Sequence, residues 1–254
     1  MNIKIFVLEH APCELPACYG DRSIYQPIQC GRAINEPIAG AIGDDEGDNI
    51  SSLNVRYNEM TAIYWVVKHY AEIGNPDYIG FDHYRRFLNW RPEWLRPGNV
   101  VARRWFSWRP LRGQYACCHG VADLDRFSGR FRQVMGSEFG DYPSYWRTHF
   151  FYICNMFIMH RDDFARYSDF ILRCIDILRG LELESPFVAD NAYQNRIPSF
   201  IMETMTSYWI WHENRIGRVR VIPSRITHFP IENPNNGSRV VDRRGFLWFL
   251  RQAY

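Results

Sequence analysis

Long apolar runs and helical repeats take turns along this chain, and the places where one gives way to the other mark its elements. Residues 3–8 (IKIFVL) form a nearly unbroken apolar run, the pattern of a strand buried on both faces of a parallel sheet. Residues 12–50 are rich in proline and glycine without a period, and the expectation is a long loop with short elements, a form that in compact domains is commonly functional. From Ser52 or Asn54, either of which can cap a helix, Tyr57, Met60, Tyr64 and Val67 fall on one stripe, with Glu59 off it. Residues 78–81 form a second apolar run, and a strand, loop, helix and strand in that order favour a right-handed crossover and a parallel sheet.

The second half of the chain continues the pattern. Residues 115–119 read as a short strand and 121–135 as a helix, and residues 154–159 as another buried strand. Phe164, Tyr167, Ile171, Cys174 and Leu178 then repeat at 3,4,3,4 spacing, with Asp162 and Asp163 at the start, Arg179 in the last turn and Gly180 as the stop. That arrangement complements a helix dipole at both ends. A further helix starts near Pro198, with Ile201, Met205, Tyr208, Trp209 and His212 on its apolar face and Glu203 on the other side beside Ser199, Thr206 and Ser207. Residues 219–222 read as a late strand and 230–237 as a loop. The predicted class is α/β, a mostly parallel central sheet flanked by helices in one domain spanning residues 1–242, with a basic amphipathic tail at 243–254.

Composition narrows this picture. A chain of 254 residues that is 46% hydrophobic and 16% aromatic has ample material for a core. The formal charge of +2 names no partner. The seven cysteines are odd in number and show no Cys-x-x-Cys spacing. With no secretory leader before the first strand, the expectation is reduced thiols in a cytoplasmic protein. No apolar run approaches the ~20 residues that span a bilayer.

Charge distribution says more than net charge. Residues 90–112 interleave Trp90, Trp94, Trp105 and Trp108 with Arg91, Arg96, Arg103, Arg104, Arg109 and Arg112, without clean periodicity. Such a segment suits a surface that docks on a membrane or on nucleic acid. With the basic tail added, the reading favours the membrane, and no nucleic-acid partner is expected.

Chemistry gathers first at Asp82-His83-Tyr84-Arg85-Arg86, directly after the second run. Each of these groups is costly to bury alone, and the C-terminal end of a strand is where α/β proteins bind ligands. Arginines there can hold phosphate oxygens and an acid can hold a divalent ion; the same residues can equally form a structural ion-pair network. His10, after the first strand, can meet a nucleotide or serve as a structural histidine. Asp48 and Asn49, ahead of a helix start, can favour an anion or close a solvated turn. Glu203 is a candidate general base if its face lines the cleft, and His149, Asn155 and Arg196 adjoin apolar runs and can line one. Nucleotide-binding glycine loops, the nucleophile elbow and the His-Glu-x-x-His zinc motif are all missing from the sequence.

Taken together, several of these blocks resemble one family, the DUF4422 glycosyltransferase domain of bacterial capsule, exopolysaccharide and O-antigen biosynthesis. The blocks are the strand ending in His10, Tyr25-Gln26-Pro27-Ile28-Gln29-Cys30-Gly31, and Asp44-Asp45-Glu46-Gly47-Asp48-Asn49-Ile50-Ser51. Asn58-Glu59-Met60-Thr61-Ala62-Ile63-Tyr64-Trp65 and Gly80-Phe81-Asp82-His83-Tyr84-Arg85-Arg86 follow. Asn155-Met156-Phe157-Ile158-Met159, and Arg196 with Phe200-Ile201-Met202-Glu203, complete the set. The resemblance covers residues 3–222 and implies a GT-A-like fold. It also implies transfer of galactose, as pyranose or furanose, from a UDP donor to a lipid-linked glycan at the inner face of the membrane.

GT-A enzymes usually carry an Asp-x-Asp that holds Mn²⁺ or Mg²⁺ on the diphosphate. Here Asp82-His83-Tyr84 supplies one acid, so either Asp82 holds an ion or Arg85 and Arg86 neutralise the diphosphate instead. Glu203 and Glu59 are rival bases for the acceptor hydroxyl. Tyr25, Asn58, His83 and Tyr84 join His10, Asp48, Asn49, Arg85, Arg86, His149, Asn155 and Arg196 as candidate substrate contacts. A binding module that keeps the pocket without the chemistry is the alternative.

Overall fold

The computed structural model describes residues 1–12, 19–181 and 194–228. The expected loop at 230–237, the tail at 243–254, Cys13 and Cys18 lie outside these residues. The strands are β1 (Ile3–Glu9), β2 (Tyr25–Gln29), β3 (Ile42–Gly43), β4 (Tyr78–His83), β5 (Arg86–Leu88), β6 (Asn99–Phe106), β7 (Phe150–His160), β8 (Arg220–Pro223) and β9 (Ile226–His228). The helices are α1 (Asn54–Tyr57), α2 (Met60–Lys68), α3 (Leu111–Cys118), α4 (Ala122–Met135), α5 (Tyr142–Tyr145), α6 (Arg161–Arg179) and α7 (Ile197–Arg215).

The sheet runs β3-β2-β1-β4-β7-β6-β8, with β5 and β9 attached beyond the end of β4. Strands β3, β2, β1 and β4 are mutually parallel, as are β6 and β8, while β7 runs antiparallel to both β4 and β6. Two antiparallel steps restore direction, so β6 points the same way as β1 and β4. Their C-terminal ends therefore share one edge of the sheet, the edge where α/β folds bind ligands.

Side-chain alternation along each strand sorts residues between two cores. Phe6 and Leu8, Ile79 and Phe81, and Phe157 and Met159 face the larger one, where they meet α2, α4, α6 and α7. Ile5, Val7, Tyr78, Val101 and Ile158 face a smaller core covered by Phe87, Leu88 and Leu95. Gly80 lets β7 come close: a Cβ there would stand 2.7 Å from both the Phe157 carbonyl oxygen and an Ile158 side-chain carbon.

The structure revises several elements. Residues 99–106, expected in a surface segment, form β6, because Val100, Val101 and Ala102 are fully buried between β7 and β8. Residues 115–118 are the end of helix α3 instead of a strand; a run so short fits either form until packing chooses. Residues 25–29, inside the expected loop, are strand β2, paired in parallel with β1. The helix read from Ser52 onward is broken at Asn58, whose φ of 50° ends α1 before α2 begins. Helix α7 is buried nearly all round: Ser199, Thr206 and Ser207 lie in the interior, and the Ser207 hydroxyl oxygen accepts the Tyr152 N–H at 2.8 Å.

Candidate active site

The site is organised by an irregularity in β7. Strand β6 pairs Ala102 with Phe157 and then Arg104 with Tyr152, so on β7 residues 153–156 stand opposite the single residue Arg103. Within that bulge Cys154 (φ 64°) and Asn155 (φ 52°) are both left-handed, an uncommon pair of conformations for residues other than glycine. Such departures concentrate beside functional sites.

Each peptide of the bulge addresses a different side chain. The Cys154 N–H donates to Glu203 Oε1 at 2.5 Å. The Asn155 side-chain amide donates to Glu59 Oε1 at 2.9 Å. His83 Nε2 lies 2.8 Å from the Cys154 carbonyl oxygen, which makes Nε2 the protonated, donating nitrogen. The Arg86 guanidinium donates to Cys154 Sγ at 3.1 Å. The end of β4 (His83), the start of β5 (Arg86), the residue before α2 (Glu59) and helix α7 (Glu203) thus deliver four side chains to one dipeptide.

The break at Asn58 supplies the Glu59 arm. Left-handed backbone there turns the chain between α1 and α2, so Glu59 points inward and is nearly fully buried. Asn58 Nδ2 donates to the other Glu59 oxygen, giving that carboxylate an amide on each side. Glu203 is in a different situation. Half-buried and facing the Glu59 charge, its carboxyl is pushed up to about 7, chiefly by loss of water and then by Glu59, against the pull of the Cys154 N–H and Arg86. Burial likewise lowers His83 to about 3, with help from the Arg86 charge, so the ring is neutral. The Cys154 thiol, pushed up to about 12 mainly by burial, is protonated and a poor nucleophile. Asn155 Oδ1 is buried with no hydrogen-bond partner among the described residues, so it is a free acceptor beside two carboxyl groups.

Other predicted residues sit around or away from this cluster. His10 is exposed at the end of β1, within electrostatic reach of Glu59, His83, Arg196 and Asp44. Its ring is 6.4 Å from that of Tyr84, over which Arg85 lies at 5.0 Å. Arg196, exposed just before α7, completes this rim. His149 instead stacks on Phe106, with Nδ1 2.9 Å from the Ser107 carbonyl oxygen, beyond the bulge. Tyr25 is a member of the smaller core, its hydroxyl accepting the Trp90 indole N–H at 2.9 Å. Asp48 binds Lys68 and the Tyr64 hydroxyl, both at 2.8 Å, and Asn49 closes the turn by donating to the Asp45 and Gly47 carbonyls.

Asp82 is the largest revision. Alternation along β4 turns it to the smaller core, away from Glu59 and Glu203, and it is fully buried. Its Oδ1 accepts the Leu88 N–H at 3.0 Å, which fastens the turn between β4 and β5. Burial raises its pKa well above the ordinary carboxylate value. A lone carboxyl enclosed on the smaller-core face is a poor ligand for Mn²⁺ or Mg²⁺, which take several charged or carbonyl oxygens. Among the described residues no three His, Cys, Asp or Glu side chains converge into a metal-binding group. The chain's own donors therefore do not fit a divalent-ion site built on Asp82.

Two further carboxyl groups matter that were not among the candidate site residues, although Asp44 opens one of the blocks of the resemblance. Asp44 is fully buried and accepts the Gly31 and Arg32 N–H groups at 2.8 and 3.0 Å and the Ser51 hydroxyl at 2.5 Å, tying three loop segments beneath the rim. Glu9, the last residue of β1, is pushed up to about 7 by burial despite Arg22, and one of its oxygens has no partner among the described residues. An acid closing an apolar strand was the sequence signal for Glu9; nothing in the sequence marked Asp44 apart from its acidic neighbours.

A family model described as a domain of unknown function (DUF4422) matches residues 4–214. The chain belongs to the DUF4422 family. A solved structure titled as the WbbM bifunctional glycosyltransferase in its apo form is similar over 95% of the chain, with a TM-score of 0.74 and 24% identity. The chain spans 48% of that larger protein. At this identity the likeness establishes the fold alone, an α/β domain like the one in that structure. No curated protein matches the chain.

Proposed function

We propose that this DUF4422 domain is a glycosyltransferase that moves a hexose, galactose as pyranose or furanose, from a UDP donor to a lipid-linked glycan during surface-polysaccharide synthesis. The observation that carries the reading is the Glu59–Asn155–Glu203 constellation at the C-terminal edge of a glycosyltransferase-type sheet. It joins an amide-anchored carboxylate, a proton-accepting carboxyl tuned to about 7 and an unpartnered amide oxygen within one bulge.

Each part has a task in sugar transfer. Glu203, ionised above neutrality, takes the proton of the attacking hydroxyl, a step worth roughly 10²–10⁴ in rate. Glu59, held between its two amides, stabilises positive charge that develops on the sugar. Asn155 holds the Glu59 carboxylate in place through its side-chain amide. Arg86, with Arg85 and Arg196 on the rim, meets the diphosphate, a role that guanidinium groups fill through paired N–H donors. On this reading the diphosphate is neutralised by arginine, and the domain works beside the inner face of the membrane.

The test is a screen of UDP-galactose, UDP-galactofuranose and other UDP-hexoses for transfer to a lipid-linked acceptor, with and without a metal chelator. Transfer from a UDP-hexose that survives chelation and is lost in Glu59→Gln is the expected result. Failure of every UDP-hexose either to bind or to be transferred would refute the reading, and activity that disappears with the chelator would refute the arginine assignment.

A further inference from the structure

Beyond the bulge, β6 and β7 continue as a two-stranded ribbon that leaves the sheet. Trp105 pairs with Phe151 and Phe106 with Phe150, and the Ser107 N–H closes the ribbon on the His149 carbonyl at 2.7 Å. Its outer surface is aromatic and open. Trp108 is 83% exposed, Phe106 45% and Phe150 40%. These rings touch one another: Phe106 lies 5.5 Å from both Trp108 and Phe150. Soluble surfaces seldom group large rings this way without an occupant.

The charges around the rings identify that occupant. Arg104 lies 4.7 Å over the Phe150 ring, and Arg103, Arg109 and Arg147 surround it in the chain. No aspartate or glutamate falls between Glu93 and Asp123, nor between Asp141 and Asp162. Among the described residues none of these four arginines forms an ion pair, whereas Arg112, just outside the ribbon, is held by Asp125. A surface of exposed tryptophan and phenylalanine with uncompensated arginines matches the interface of an anionic bilayer, where rings enter the headgroup level and cations meet lipid phosphate. A glycan platform would need fixed carboxylate or amide groups beside the rings, and the ribbon offers guanidinium groups.

We propose that the β6–β7 ribbon tip is a membrane-docking surface, selective for anionic lipid, that holds the catalytic edge of the domain against the bilayer. Placement follows from topology. Because β6 runs parallel to β1 and β4, Phe106 leaves the sheet on the same edge as His10 and His83. His228 on β9 feels both Arg86 beside the bulge and Arg103 of the ribbon, so the two regions adjoin. The docking surface is argued from the ribbon alone; the purpose of docking, delivery of the cleft to a lipid-borne acceptor, rests on the proposed function.

Flotation of the full chain with vesicles of phosphatidylglycerol and phosphatidylcholine in equal parts tests the proposal, with pure phosphatidylcholine vesicles and a single-stranded oligonucleotide alongside. No sugar donor is present, so the outcome is independent of catalysis. The expected result is binding to the anionic vesicles that Trp108→Ser weakens about tenfold or more. Arg104→Gln and Arg147→Gln should each weaken it about fivefold, with unchanged thermal midpoints because all three side chains are exposed. Wild-type binding in these variants, with loss only on deletion of residues 243–254, would overturn the proposal. So would absence of flotation, or tighter binding to the oligonucleotide than to the vesicles.

Discussion

Replacing Glu203 with glutamine should make the protein more stable while disabling it, and the size of the gain depends on pH in a calculable way. The new amide keeps an oxygen for the Cys154 N–H, so the bulge retains its contact, but the carboxyl held beside the Glu59 charge is gone. Glu203 has a folded pKa of about 7 against an ordinary 4.5. Between those values the folded chain binds more protons than the unfolded chain, so this group's contribution to stability falls as pH rises. It is fully present below 4.5, lost progressively up to about 7, and constant above.

The gap between 4.5 and about 7 corresponds, at about 1.4 kcal/mol per pH unit, to about 3 kcal/mol. This is a ceiling, because the half-buried side chain keeps some water. Urea unfolding of the wild type and Glu203→Gln across pH 4.5 to 8.5 reads it directly. The two curves should nearly coincide at pH 4.5 and separate with the variant more stable above 7, equivalent to roughly 6–12 °C in melting temperature for a domain of this size. Transfer by the variant should fall roughly 10²–10⁴-fold, and wild-type transfer should rise with pH through a midpoint near 7. A stability difference that is the same at every pH, or a variant that transfers at the wild-type rate, would refute the assignment.

Asn155→Ala removes one of the two amides on Glu59 and the free Oδ1. It should lower kcat at least about tenfold and move the midpoint of the pH–rate profile, a change that loss of packing alone would not produce. Asp82→Asn should transfer at close to the wild-type rate, because its oxygen still accepts the Leu88 N–H and the side chain faces the smaller core. In that variant the loss of stability with rising pH that the raised pKa of Asp82 imposes should disappear, as denaturation at several pH values would show; a collapse of transfer would return Asp82 to the site.

The elements readable from sequence were those whose pattern is local. Helix α6 carries its own period, acidic start and glycine stop, and β1 and β4 are nearly unbroken apolar runs, so their ends put His10 and His83 on one edge of the sheet. Strand β6 was hidden because its buried part is only Val100, Val101 and Ala102 before Arg103 and Arg104 emerge into the ribbon. The pairing of Glu59 with Glu203 was beyond sequence reading for a different reason. It is made by positive φ at Asn58, Cys154 and Asn155; asparagine takes such backbone more readily than most residues, but its presence alone does not say at which asparagines the chain turns. The faces to which Asp82 and Glu203 turn were hidden on the same ground. An acid after an apolar run looks the same whichever face it turns to, and an acid on a helix looks solvated until the helix proves to be buried.

The bulge also separates two mechanical jobs. Four residues of β7 are spent against one of β6, so register and twist established between β4, β7 and β6 are interrupted before the ribbon begins. Changes in the length or sequence of the arms at 104–106 and 150–152 need not propagate back to Glu59 and Glu203, whose positions depend on residues 154 and 155. Grafting the ribbon of one family member onto another is therefore a route to change what the ribbon contacts while leaving the Glu59–Glu203 cluster in place.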